Sequence, residues 1–295
     1  MTTTRKAHLD QLAIVLLVGC CLFWGLQQVL VKVTLREVAP VYQASLRFAL
    51  ATVIILLWSH FRGKRVLERD GTMLPGIVAG GLFAIEFAGI YLGLQHTTVA
   101  RLTLFLYTAP FWVAAVLPMV VQGETLTRFQ WAGLVLAFVG VVIAFQDGLT
   151  SSGHGWIGDL LGIMAGAAWG LTTVVIRATG LIRISPEKML LYQVGASALV
   201  LPVLSRALGE PWTATFSPFA TVSIAVQAAV GAFATYLLWM WMITRYPATK
   251  MTSFTFLVPV FALGAGVIFL QEPLTMTLVV ALACVTAGIF LVNRR

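Results

Sequence analysis

The chain has 295 residues, 59% hydrophobic and only 10% charged, with a formal net charge of +8. Soluble domains carry about one quarter charged residues; polar material this scarce excludes a water-soluble fold and makes the chain an integral membrane protein. The positive charge gathers in the connections between oily runs, as in loops retained in the cytoplasm, and no basic stripe with interleaved aromatics supports nucleic-acid binding.

A spanning helix needs about 20 mainly apolar residues. That ruler predicts ten spans, near 12–35, 41–60, 74–94, 98–121, 128–146, 156–177, 188–208, 217–242, 247–270 and 275–292. The first follows Arg5 and Lys6, but it is too long for a signal-peptide core and no small-residue cleavage site interrupts it. None of the runs alternates apolar and polar residues as barrel strands do, so the spans are helices. With the N-terminus inside, one side collects Arg5, Lys6, Arg62, Lys64, Arg65, Arg69, Arg128, Arg177, Arg183, Lys188, Arg245, Lys250, Arg294 and Arg295. The other collects Lys32, Arg36, Arg101 and Arg206. The bias predicts both termini in the cytoplasm and a multi-pass protein of the cytoplasmic (inner) membrane, in contact with lipid throughout.

The short connections leave no room for a nucleotide-binding domain, and Gly63-Lys64 lacks the rest of a P-loop. Cys20, Cys21 and Cys284 lie in apolar runs, and His8, His60, His96 and His154 show no metal-ligand spacing. No cofactor or metal is expected. With no nucleophile–base or metal constellation inside the spans, the chain does not read as an enzyme.

The second half echoes the first. "WGLQQVLVK" (24–32) returns as "WGLTTVVIR" (169–177), "RLTLFLYTAP" (101–110) as "KMTSFTFLVP" (250–259), and "GETLT" (123–127) as "QEPLT" (271–275), followed by Gly140 against Gly288. Each half holds five predicted helices. An odd number makes the second half enter from the opposite side, so residues 1–150 and 151–295 are expected to form two inverted five-helix repeats around a central cavity. Inverted repeats set a substrate site near the midplane and rock around it.

These residues also carry a family resemblance. "LFWGLQQVLVK" resembles the first-helix signature of the drug/metabolite transporter superfamily, in its ten-helix EamA-type branch. "LRFALA" (46–51) is similar to the arginine motif of the second helix. "YLGLQHTTVARLTLFLYTAPFWVAAV" (91–116), with "GETLT", Gly133 and Gly140, resembles the fourth and fifth. The resemblance covers nearly the whole chain. It departs at the arginine: Tyr192-Gln193 echo Tyr42-Gln43, but Ala196-Ser197 stand where Arg47 has no counterpart. The resemblance implies a carrier, and among the family's members the aromatic amino acid exporters are the most similar. It implies export of aromatic or other apolar amino acids and related metabolites by alternating access. The alternative is a multidrug or quaternary-cation exporter. A monomer with a small-molecule substrate is expected.

Particular residues stand out. Trp24, Gln28 and Lys32 share one helical face, and Trp169, Thr173 and Arg177 repeat it. Amides facing lipid cost several kcal/mol, so Gln27 and Gln28 should point inward, as cavity lining or as interhelical glue. Lys32 and Arg177 lie at span ends and are expected to snorkel toward water. Glu86 is the carboxylate well inside a span and Arg47 the cation, at matched depth roughly 10 Å below the outer helix ends at 1.5 Å per residue. They could pair structurally or act on a substrate. A proton-coupled carrier would use Glu86, and an arginine holding it ionised favours a facilitator. Asp159 lies near a helix start and reads as an interfacial group or an N-terminal helix charge. Pro110 and Pro259 fall at equivalent midspan points, where kinks suit gates or only shape packing. Gly162, Gly166 and Gly170 suit close helix contact. The predicted substrate-binding set is Trp24, Gln27, Gln28, Glu86, Tyr107, Trp169, Thr173, Tyr236 and Trp239, with Pro110 and Pro259 as gating positions.

Overall fold

A computed structural model describes residues 10–120, 127–150, 155–246, 254–255 and 257–293. Arg5, Lys6, Lys250, Arg294, Arg295, most of the "GETLT" stretch and half of "KMTSFTFLVP" lie outside the described residues.

The described chain is helical. The helices are α1 (Gln11–Thr34), α2 (Pro40–Phe61), α3 (Met73–His96), α4 (Val99–Leu106), α5 (Ala109–Val120), α6 (Arg128–Thr150), α7 (Gly155–Ala178), α8 (Pro186–Ala207), α9 (Pro218–Val226), α10 (Thr235–Arg245), α11 (Leu257–Leu270) and α12 (Met276–Asn293). Seven of these stretches, counting α4–α5 and α9–α10 as one span each, are long and apolar enough to cross a membrane. Arg128–Ala144, Leu257–Leu270 and Met276–Gly288 are shorter apolar helices. Their flanks face outward with side chains such as Leu199, Val203 and Phe138 exposed, a surface suited to hydrocarbon. The protein is a multi-pass membrane protein.

Local sequence sets the helix starts. The Asp10 side chain accepts from the Ala13 N–H at 2.9 Å. Thr98, Ser185 and Ser217 cap α4, α8 and α9 in the same way, the latter two followed by Pro186 and Pro218 in the first turn. A side-chain oxygen at the N-cap satisfies an orphan amide, and proline there loses no bond.

Among the described residues the predicted spans recur as helices with ends shifted by a few residues, except that the run 247–270 is described as a helix only from Leu257, and two of them are broken. The run 98–121 is interrupted at Tyr107–Thr108 between α4 and α5. Pro110 has no N–H to give the carbonyl one turn back, so the chain tightens instead: the Thr108 N–H donates to the Phe105 carbonyl at 3.1 Å, as does the Thr108 hydroxyl at 2.7 Å. Pro259 sits at the corresponding place, third in α11, just after a turn at Thr255 whose carbonyl accepts from Val258. The run 217–242 is also irregular. Residues Gln227–Ala234, between α9 and α10, are π-helical, a wide turn that recurs at functional sites.

Packing joins the halves. α3 lies against α7 and α8; α2 against α8 and the π segment; α1 against α11 and the π segment; α4 and α5 against α7; and α6 against α12. Exchanging the first five spans for the last five carries these neighbour pairs into one another. Gly166 shows how close the contacts are: a Cβ there would lie 2.8 Å from the Leu106 carbonyl oxygen at the α4–α5 break.

Candidate functional site

Midway along α1–α3 and the π segment, polar side chains converge in a setting that is otherwise aliphatic and aromatic. Arg47 is fully buried on α2, with Gln43 one turn earlier. Its Nη1 donates to the Tyr91 hydroxyl of α3 at 3.2 Å, which donates to Gln227 Oε1 of the π segment at 2.7 Å. Gln43 Nε2 donates to the same oxygen at 3.2 Å. Gln227 Nε2 reaches Ser223 at 3.0 Å, and Ser223 meets Thr34 of α1 at 2.7 Å. The network therefore ties three spans of the first half to one of the second.

The guanidinium packs against an edge-to-face pair of rings, its carbon 5.1 Å from the Phe48 centroid and 4.9 Å from that of Phe87. Its Nε and Nη2 have no hydrogen-bond partner among the described residues, nor do Gln27 Oε1, Gln28 Oε1, Gln43 Oε1 and Glu86 Oε2. Arg47 and Glu86 form no ion pair among the described residues. Gln27 and Arg47 meet over one backbone position of the π segment. A Cβ on Gly231 would lie 1.8 Å from Gln27 Oε1 and 3.3 Å from Arg47 Nη2. Only glycine leaves both groups where they are.

An aromatic wall adjoins the network. Trp24 Nε1 donates to the Thr235 hydroxyl at 2.8 Å, and its ring lies 5.9 Å from Tyr236 and 5.5 Å edge-on from Trp239. Tyr236 packs 6.0 Å from Phe83 and neighbours the Arg47 guanidinium. Trp24, Gln27, Tyr236 and Trp239 are thus brought together, and Glu86, buried on α3 beside Phe87, belongs to the same region. Tyr107 and Trp169 form a separate edge-to-face pair at 5.3 Å by the α4–α5 break. Gln28 is buried beside Gln27. Thr173 gives its hydroxyl to the Trp169 carbonyl one turn back, at 3.1 Å.

The sequence reading missed Gln43, Gln227, Ser223, Thr34 and Gly231 as members of this cluster. Gln227 carried the signal that singled out Gln27 and Gln28, an amide alone in an oily run. Gly231 carried none, because its role depends on an approach visible only in three dimensions.

Lys32 corrects an expectation. Instead of snorkelling, its ammonium pairs with Glu272 at 2.9 Å and donates to the Thr97 carbonyl at 2.6 Å. The Glu272 carboxylate also accepts the Val99 N–H, at 2.9 and 3.0 Å, and so sits on the N-terminus of α4, where helix polarity favours an anion. Beside it Asp159, near the start of α7 as expected but fully buried, pairs with Arg101 and accepts from Thr97 at 3.0 Å. At this same end Glu210 accepts the Val41 and Tyr42 N–H groups at 3.0 and 2.8 Å.

The opposite end is joined differently. Tyr246 donates to the Asp10 carboxylate at 3.1 Å. The exposed loop between α2 and α3 is held by α8: Lys188 pairs with Asp70 at 2.7 Å and donates to the Glu68 carbonyl, while Tyr192 meets Thr72 at 3.1 Å. The hydrogen-bonded Lys188 ammonium holds the Asp70 carboxyl well below the usual carboxylate range.

The model of the EamA-like transporter family matches this chain twice, over residues 11–146 and 156–294. The chain belongs to the EamA-like transporter family. An uncharacterised transporter of Archaeoglobus fulgidus is 28% identical over 92% of this chain and 95% of its own. A Salmonella typhimurium protein named a probable amino-acid metabolite efflux pump is 27% identical over 91% and 90%. A solved crystal structure, 18% identical, superposes with a TM-score of 0.67 over 94% of this chain and 96% of its own, which fixes a shared fold. This transporter is therefore a carrier and not an enzyme.

Proposed function

We propose that this transporter exports aromatic or other apolar amino acids and related metabolites across the cytoplasmic membrane by alternating access. In this reading the ten predicted spans form two inverted five-helix repeats, residues 1–150 and 151–295, with both termini cytoplasmic. The observation that carries it is the midspan cluster, in which Trp24, Gln27 and Arg47 of the first half face Gln227, Tyr236 and Trp239 of the second. A polar group left unpartnered among aromatic rings suits a modest solute with an apolar body and a polar head.

Several features support the architecture: the family match in each half, the exchange of helix neighbours between halves, and the paired breaks before Pro110 and Pro259. The breaks give each half a midspan turn already lacking a backbone hydrogen bond, where bending costs little, and we assign both prolines a gating role. The metabolite-efflux name of the Salmonella typhimurium relative supports the substrate class. The quaternary-cation alternative is disfavoured by Arg47, whose fixed charge repels a cation at the same depth.

The test is transport of labelled amino acids in proteoliposomes, with and without an imposed pH gradient. Saturable movement of phenylalanine or another apolar amino acid, lost in Trp24→Ala and Gln27→Ala protein that still folds, is expected. Movement of quaternary ammonium compounds alone would replace this reading with the other.

A further inference from the structure

The guanidinium of Arg47 has two hydrogen-bonding sides, and the structure fills one. Nη1 is used by Tyr91, and the side without a partner among the described residues is made by Nε and Nη2. These two nitrogens present parallel N–H groups along one edge, the arrangement that grips both oxygens of a carboxylate. Phe48 and Phe87 lie together on one side of the same group, their ring centroids 4.8 Å apart. No ion pair with Glu86 occupies the edge. A buried cation lacking a counter-ion is costly, and an arriving anion removes that cost.

Resting on the transport reading, we infer that the free edge of Arg47 is the docking point for a carboxylate on the transported solute. Gln27 sits beside that edge, and its unpartnered Oε1 accepts a donor next to the carboxylate, such as the ammonium of an α-amino acid. The apolar remainder of the solute then lies toward Trp24, Tyr236 and Phe83. Gly231 is the position that leaves Gln27 and Nη2 in place, since any side chain there displaces Gln27 first and crowds Nη2 next. The recognised class is organic monocarboxylates with an apolar body, the amino acids among them. The carboxylate is the element that matters, and the amine is secondary.

Three probes that share a phenyl ring separate these roles: phenylalanine, 3-phenylpropionate, which lacks the amine, and phenethylamine, which lacks the carboxylate. Binding to purified wild-type protein is read by quenching of tryptophan fluorescence and by thermal shift, and transport by competition against labelled phenylalanine in proteoliposomes. Phenylalanine and 3-phenylpropionate are expected to bind, with phenethylamine weaker by about 10- to 100-fold, the range of a charge-assisted hydrogen-bonding site. Arg47→Gln should abolish the preference, and Arg47→Lys, which keeps the charge but loses the fork, should recover it only in part.

If phenethylamine binds or competes as well as 3-phenylpropionate, the carboxylate site is overturned whether or not amino acids are transported. Carboxylate binding without amino-acid transport leaves the Arg47 site standing and overturns the exporter reading. Failure of both carboxylates to bind overturns the site. The wild-type comparison decides the matter even where the Arg47 variants do not fold.

Discussion

Two groups of buried charge in this protein have been given opposite treatment. At the Lys32 end, Arg101 and Asp159 meet directly, Thr97 closes the carboxylate, and Glu272 serves both Lys32 and the start of α4. At midspan, one edge of Arg47 has no partner among the described residues, and neither do Gln27 Oε1 and Glu86 Oε2. Both groups sit in surroundings where an unmet polar atom costs about 1–3 kcal/mol. The saturated group has the make-up of a fastening, and the open one is the receptor of the proposal above, so satisfaction of hydrogen bonds distinguishes the two where burial and charge do not.

Removing a charge should therefore have unlike effects at the two places. Arg101→Leu leaves the buried Asp159 carboxylate without its cation, and should destabilise the detergent-solubilised protein by about 3–5 kcal/mol; Asp159→Leu added to it should recover most of that loss. A single variant melting like wild type would break the comparison at its firmest point. Next in size is Gly231→Ala, whose new methyl group crowds Gln27 and should cost about 1–3 kcal/mol, with a fall in transport larger than the fall in folded yield. Arg47→Met should change stability by less than about 1 kcal/mol in either direction, because an apolar group of similar length replaces an incompletely satisfied ion. Transport should nevertheless be lost. A melting-temperature drop as large as that of Arg101→Leu would mean that Arg47 is a fastening too.

Smaller effects sharpen the picture at the ends. Lys32 is partly exposed, and Lys32→Met should cost under about 1 kcal/mol. Glu272→Leu should cost more, since that carboxylate also serves the Val99 amide. Equal losses would show that the α4 contact contributes nothing. At the opposite end, Asp70 has a folded-state pKa below its unfolded one. The stability it brings is therefore present above the ordinary carboxylate pKa of about 3.9 and fades as pH falls below it. Thermal melts between neutral and acid pH should show a decline that Asp70→Asn reduces; an unchanged pH profile in the variant would remove Lys188–Asp70 from the account.

The helices were legible because span length and hydropathy decide them, and caps such as Ser185 before Pro186 mark their starts in the chain itself. The breaks at Tyr107–Thr108 and Thr255 could be anticipated from Pro110 and Pro259, since a missing N–H is a local fact. The candidate site was legible in part. Gln27, Trp24, Glu86, Tyr236 and Trp239 stood out as residue types foreign to lipid or large enough to line a cavity. What sequence could not supply was pairing across the halves. It gave no sign that Lys32 meets Glu272, 240 positions away, or that Arg47 and Glu86, equal in depth, form no ion pair. Helix period alone leaves such azimuths undetermined, because close packing of neighbours sets them.

The loop between α2 and α3 carries a consequence of another kind. Its Arg62, Lys64, Arg65 and Arg69 are exposed, yet its far end is gripped by Lys188, Tyr192 and the body of α8. Covalent continuity matters least where both sides of a cut are already held. A trypsin-like protease reaching this loop should nick the chain into a piece ending after α2 and a piece beginning before α3. The two pieces should then migrate as one particle under native conditions and separate only in denaturant. Genes encoding them separately should rebuild the intact carrier, since α2 docks on α8 and the π segment rather than depending on its link to α3.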